Sequence, residues 1–345
     1  MIARLLLGLA LTAGAAVPLL SQESTVQSLL SRYMQRDATV TSDFLSVRDP
    51  DTARRELEAL APAFLKADRK SIDNRRRWLV TFALELAQAH SERESVSAGL
   101  LVEWACQHVR RHEPIDEFDR RWQLAATALL EGAIHPTALE MHLRHMGGQF
   151  PKEPRIALAR ALVAEQRTAP REVLARGRTA ATQPAGASPP LLSLHEEAAR
   201  RFQELALLWP AVRAEANVRR ARTYIWLNRH EDALLALSGV EGNTTDPALR
   251  YLTFLLQGLA LDGLGRTREA QQAWVSALRV GPGAQSAMMS LATAMFRSGE
   301  RAAANLMVMK MLEHNDPRAD PWWAYWAGDY RLWFALIRDV RELLK

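Results

Sequence analysis

Apolar residues recur three and four positions apart along nearly the whole chain, and strand-like alternation is almost absent. "TARRELEALAPAFLKA", "RRRWLVTFALELAQAH", "SAGLLVEWACQHVRRH", "RRWQLAATALLEGA" and "PRIALARALVAE" each carry this helical period. Pro and Asp interrupt it at "VRDPD", "HEPID", "IHP" and "FPKEP", where one helix ends and the next begins. The pattern predicts an all-α chain of about fourteen to sixteen helices joined by short turns. One stretch has no apolar face: "RGRTAATQPAGASPP", 176–190, rich in Pro, Ala and Gly, reads as a linker or surface insertion.

The helices also repeat. "YLTFLLQGLALDGLGRTREAQQAWVSALRVGPGA" (251–284) and "QSAMMSLATAMFRSGERAAANLMVMKMLEHNDPR" (285–318) follow one another without a gap, each 34 residues long. Gly265 aligns with Gly299 and Ala270 with Ala304. Phe254, Gly258, Leu261, Gly265, Ala270, Trp274, Ala277 and Pro282 fall at the register positions of the tetratricopeptide repeat, which this segment resembles. One copy earlier, 214–247 fits with Ala221, Tyr224, Asn228 at the turn and Ala233. Before that, the second helix "HEEAARRFQELALLWP" has a displaced partner, for which "EPRIALARALVAEQR" is the best candidate. A weaker copy spans 119–152, with Trp122, Ala126, Leu129 and Ala138 in register.

The resemblance implies a right-handed α-solenoid with a more divergent helical N-terminal half. The expected divisions are a signal peptide at 1–21, divergent hairpins at 22–118 and degenerate repeats at 119–213 interrupted by the insertion at 176–190. Three repeats at 214–318 and an aromatic capping helix pair at 319–345 follow. Arg4, the apolar run from Leu5 to Ala16 and the small residues Ala13-Gly14-Ala15 have the order of a secretory signal, so export to the periplasm or exterior is expected. The apolar run is shorter than the roughly 20 residues that span a bilayer, so no transmembrane span is expected in the mature chain. The chain is also similar to exported repeat proteins of bacteria such as Acidobacteria.

Composition changes this picture little. The net charge is +5, but Arg far outnumbers Lys and acidic residues are interleaved throughout, as in "RRELEAL". No dense basic stripe with interleaved aromatics marks a nucleic-acid surface. The single cysteine, Cys106 in "LVEWACQHV", cannot form an internal disulfide and reads as a small buried residue rather than a nucleophile.

Candidate chemistry is sparse. His108 and His112 are four apart and His142 and His145 three apart, the spacings of metal pairs on a helix. No carboxylate completes a ligand motif, and Arg110, Arg111 and Arg144 oppose a cation, so a solvated face is the expected reading. Glu94 in "RESVSAGLL" resembles the Glu-Ser of lytic transglycosylases, but Gly99-Leu100 run straight into a helix instead of a catalytic domain. No phosphate-binding glycine loop or nucleophile elbow is present. No catalytic residue, cofactor or metal site is assigned.

Binding is left. Stacked repeats form a concave groove lined by the first helix of each pair. The resemblance places Arg222 and Trp226, then Leu255, Leu259 and Asp262, then Met289, Thr293, Phe296 and Arg297 on that groove. The expected partner is another protein or peptide segment, laid as an amphipathic element along an apolar surface. The groove could instead be filled by the chain's own N-terminal helices or its insertion. Seven aromatic residues between 322 and 334 leave a second choice. They are expected to form a cap packed on 285–318, with Tyr330, Trp333, Phe334, Ile337 and Leu344 on one face. The alternative is a glycan-binding or glycan-processing envelope protein that stacks sugars on those tryptophans.

Overall fold

The computed structural model describes residues 25–66, 69–91, 94–109, 115–132, 136–146, 149–168, 189–313, 320–326 and 332–344. The expected signal peptide, residues 176–188 of the insertion, and Tyr330 lie outside the described residues. Among the described residues there are sixteen α-helices and no strand. They are α1 (Thr25–Met34), α2 (Pro50–Phe64), α3 (Arg69–His90), α4 (Ser95–His108), α5 (Glu117–Gly132), α6 (Pro136–His145), α7 (Pro154–Thr168) and α8 (Pro189–Leu208). Then come α9 (Arg213–Trp226), α10 (His230–Leu237), α11 (Pro247–Gly263), α12 (Thr267–Val280), α13 (Gln285–Arg297), α14 (Arg301–Glu313), α15 (Pro321–Trp326) and α16 (Trp333–Glu342).

Helix starts follow the local chemistry. The Asp49 carboxylate accepts from the Thr52 N–H at 2.7 Å, and Pro50 opens α2. Asp246 does the same for Ala248 at 2.8 Å, with Pro247 opening α11. Proline at the first helical position loses no hydrogen bond, because that N–H has no intrahelical partner. Pro189 and Pro190, expected at the end of the insertion, are instead the first turn of α8 for the same reason.

Consecutive helices pack as pairs: α3 on α4, α7 on α8, α9 on α10, α11 on α12 and α13 on α14. The first helices of successive pairs also touch, α9 on α11 and α11 on α13. The three last pairs turn identically. Asn228, Gly265 and Gly299 adopt φ of 56°, 75° and 85°. The next N–H then reaches back five residues: Arg229 to the Tyr224 carbonyl at 2.8 Å, Arg266 to Leu261 at 2.9 Å and Glu300 to Met295 at 2.9 Å. This is a Schellman closure, which needs a left-handed residue and so favours Gly or Asn. Between α11 and α12 the approach depends on a glycine. A Cβ at Gly258 would sit 2.2 Å from Trp274 Nε1, and that indole N–H donates to the Leu255 carbonyl at 3.3 Å.

Two large cores result. The N-terminal core is built around α3, whose residues Leu79, Val80, Phe82, Ala83, Leu84, Leu86 and Ala87 are all buried. The sequence pattern implied one buried stripe on this helix. It is enclosed on more sides because α1, α2, α4 and α5 all pack on it. The second core runs through α9 to α13.

The C-terminal segment departs from the expected cap. Trp333, Ile337 and Val340 of α16, and Leu344 just after it, are buried in the N-terminal core, and α16 packs on α5, not on 285–318. Arg341 pairs with the buried carboxylate of Glu85, which also accepts from the Tyr33 hydroxyl at 2.5 Å. Phe334, expected on the buried face, is exposed. The shorter α15 lies in the second core, against α11, through Trp322 and Tyr325. Asp320 just before it accepts from the Ser286 N–H at 2.6 Å, at the start of α13. The segment therefore ties the two cores together, and the outer face of α14 is left bare at Leu306, Met309 and Leu312.

Candidate partner-binding groove

The predicted groove residues divide into two sets. Arg222 and Leu255 are buried: Tyr325 of α15 lies over Arg222, and Leu255 shares the second core with Trp322 and Tyr325. The ring of Tyr325 is 4.8 Å from the Arg222 guanidinium and 4.3 Å from that of Arg219. Beneath the ring, Arg219 binds Glu215 at 2.7 Å and Glu165 of α7 at 3.0 Å. Arg222 Nε donates to the other oxygen of Glu165 at 3.0 Å. Two carboxylates thus neutralise two guanidinium groups in a space closed to solvent. Such pairing is needed for charges to be buried at all. The expectation that Arg222 and Leu255 face a partner is overturned: among the described residues they lie against the protein's own C-terminal segment.

Trp226 stands at the edge of this closed region. It is half-buried and stacks on His195 of α8, with ring centroids 5.8 Å apart and planes 14° from parallel. Burial pushes the His195 pKa below its usual 6.5, only partly opposed by Glu165. Burial also holds the Tyr325 hydroxyl protonated far above its usual range. That hydroxyl has no hydrogen-bond partner among the described residues.

Sequence reasoning missed Glu165, Glu215, Arg219 and Tyr325. The spacing of Glu215, Arg219 and Arg222 on one helix was a legible signal of a charged face. Nothing in the local sequence said that α7 and residue 325 would complete it.

The second set lies beyond the reach of α15. Leu259 and Met289 are half-buried, and Thr293, Phe296 and Arg297 are exposed. Asp262 of α11 and Arg297 of α13 form an ion pair across adjacent first helices. Phe296 is 57% exposed, and the Arg301 guanidinium sits 5.6 Å from its ring. The contact connects this open half to α14, whose Leu306, Met309 and Leu312 are also exposed.

No protein-family model and no curated protein sequence matches this chain.

The remaining candidates fall elsewhere. His142 is buried rather than solvated: Nδ1 lies 3.2 Å from the Cys106 thiol and Nε2 3.0 Å from the Thr127 hydroxyl. These contacts use both ring nitrogens in holding α4, α5 and α6 together. The His108 ring meets that of Trp104 at a tilt, with centroids 4.7 Å apart and planes at 58°. His112 and the His145 side chain lie outside the described residues. Among the described residues no three His, Cys, Asp or Glu side chains gather as a metal site would require. Glu94 directly precedes α4, its carbonyl accepting from the Ala98 N–H at 2.9 Å. Of the C-terminal aromatics, Trp322, Tyr325 and Trp333 are buried, so they present no stacking surface to a sugar. Among the described residues no helix is long and apolar enough to cross a membrane.

Proposed function

We propose that the protein is an exported, non-catalytic interaction scaffold. In this reading it is a right-handed solenoid of tetratricopeptide-like repeats that holds a segment of another protein in the open half of its groove. The observation that carries the proposal is the row Leu259, Met289, Thr293 and Phe296, left uncovered by α15 beside the Asp262–Arg297 pair. An apolar row flanked by one acid and one base suits an amphipathic helix, which buries one stripe and exchanges charges at its border. The three identical turns at Asn228, Gly265 and Gly299 support the repeat reading. The order of Arg4, apolar run and small residues supports export to the cell envelope. Engagement of Arg76, Arg219, Arg222 and Arg341 by carboxylates supports a protein partner over a nucleic acid.

The test is site-specific photo-crosslinking in cells. A crosslinker at Thr293 should trap one discrete partner peptide, and Phe296→Glu should remove that product. A crosslinker at Leu207, exposed on α8, should not trap it. Equal products from both positions would sink the groove reading. Sequencing the N-terminus of the recovered protein tests export, since a start at Met1 or Ile2 contradicts a cleaved signal.

A further inference from the structure

A second surface of the molecule has the properties of a small-molecule site. Where α16 returns to the N-terminal body, a cavity of about 320 Å³ opens between the two ends of the described chain. Its wall is apolar: Tyr33 of α1, Trp78 of α3 and Leu344 just after α16. Tyr33 and Trp78 meet edge to face, with centroids 5.5 Å apart and planes at 85°, so together they form a corner of two flat surfaces. The volume is at the lower end for small-ligand pockets, which bury a mostly apolar ligand and orient it with a few polar groups.

The polar groups at the rim are not equivalent. Asp37 is held by Arg32 at 2.8 Å and by the Thr39 N–H and hydroxyl at 2.9 and 2.7 Å. The Thr39 hydrogen bonds, with Arg32, lower its pKa to about 2. Arg341 is engaged by Glu85. Arg36 is different: it lines the cavity from its exposed rim, and among the described residues its guanidinium has no hydrogen bond or ion pair. It also occupies an unfavourable backbone position. Its φ is +61°, at the closure of α1, where the Asp37 N–H donates to the Arg32 carbonyl at 3.1 Å. Glycine would fold there more easily, so the arginine is held at a conformational cost. An uncommitted cation kept in a strained position beside an aromatic corner has the features of a ligand-orienting residue.

We propose that this cavity binds a small aromatic carboxylate, its ring in the Tyr33–Trp78 corner and its carboxylate on Arg36. Because α1, α3 and α16 all line the cavity, occupancy also favours the docked position of α16, and a bound ligand raises the melting temperature of the folded chain.

The test uses the full chain with 2-naphthoate, its neutral analogue 2-naphthylmethanol, and octanoate. Naphthoate should quench tryptophan fluorescence and raise the melting temperature in a concentration-dependent way. Octanoate and naphthylmethanol should each bind at least tenfold more weakly. Arg36→Gly separates folding from binding, because its two effects have opposite signs. The variant should melt at a higher temperature without ligand and bind naphthoate at least tenfold more weakly. Wild-type affinity in Arg36→Gly, equal binding of the neutral alcohol or of octanoate, or no response to naphthoate overturns the proposal. None of these outcomes bears on the groove, which lies on α11 and α13.

Discussion

The two sets of candidate groove residues lie on the first helices of successive helix pairs, α9, α11 and α13, yet have opposite character. In the closed half, Arg222 and Leu255 are buried together with α15, and a guanidinium there is a structural ion with two carboxylates around it. In the open half, Phe296 and Arg297 stand in solvent, and the Asp262–Arg297 pair is bordered by water. Position along a helix therefore says which way a side chain points, but not what it meets. The difference is made by one segment, residues 320–326, which covers the first half and stops short of the second.

The largest expected effect comes from removing that segment. Deleting 319–345 takes Trp322 and Tyr325 from one core and Trp333, Ile337, Val340 and Leu344 from the other. Each truncated large side chain typically costs about 2–5 kcal/mol, so six of them match or exceed the roughly 5–15 kcal/mol that holds a domain folded. The shortened chain should aggregate or lose its cooperative melt. Urea titration and light scattering will show this, and a stable monomer would mean that the segment is dispensable.

A single substitution in the closed half is the next sharper cut. Tyr325→Ala should destabilise by about 3–5 kcal/mol, the usual cost of deleting a buried aromatic. Tyr325→Phe keeps the ring over Arg219 and Arg222 and removes a hydroxyl without a partner, so it should be neutral or stabilising. Denaturant melts of the two variants should therefore diverge. Equal loss in both would assign the hydroxyl a role that the present geometry lacks.

A smaller effect should follow pH. Burial disfavours the charged form of His195, with Glu165, Arg222 and Trp226 facing it. Its folded pKa lies below the usual 6.5, so the unfolded chain binds this proton more readily. The associated stability is complete above about pH 6.5 and is lost as pH falls through the folded value. His195→Phe retains the stack on Trp226 without the titration. Its melting temperature should fall less than that of the wild type between about pH 7.5 and 5.5. Parallel curves would show that His195 does not contribute.

The open half should show almost no stability effect. Phe296→Glu replaces a side chain that is mostly in water, and such surface changes usually stay within about 0.5 kcal/mol. Partner capture should nevertheless be lost. A large drop in melting temperature would instead make Phe296 part of the packing and remove the contrast between the halves.

What was legible in the sequence was local or between neighbouring helices. The three- and four-residue apolar period marked the helices, because that spacing fills one side of a helix whatever it later packs against. Asn228, Gly265 and Gly299 marked the turns, because a left-handed closure selects residues that tolerate positive φ. Gly258 and Trp274 were legible only as register positions; that the indole fills the space left by the missing Cβ is seen in the structure. The groove positions were legible as directions along α9, α11 and α13.

The fate of those directions was decided only in three dimensions. An amphipathic stripe on 333–344 states that it must be buried but carries no address. A cap on α14 and a place beside α5 satisfy the same pattern. The N-terminal core offers α16 an apolar bed and, at Glu85, a buried carboxylate that needs a cation, which Arg341 supplies. Once α16 is docked there, the preceding α15 lies over Arg219 and Arg222, and half of the groove is closed. Sequence period encodes which faces seek burial; long-range packing and charge pairing select the partner that provides it.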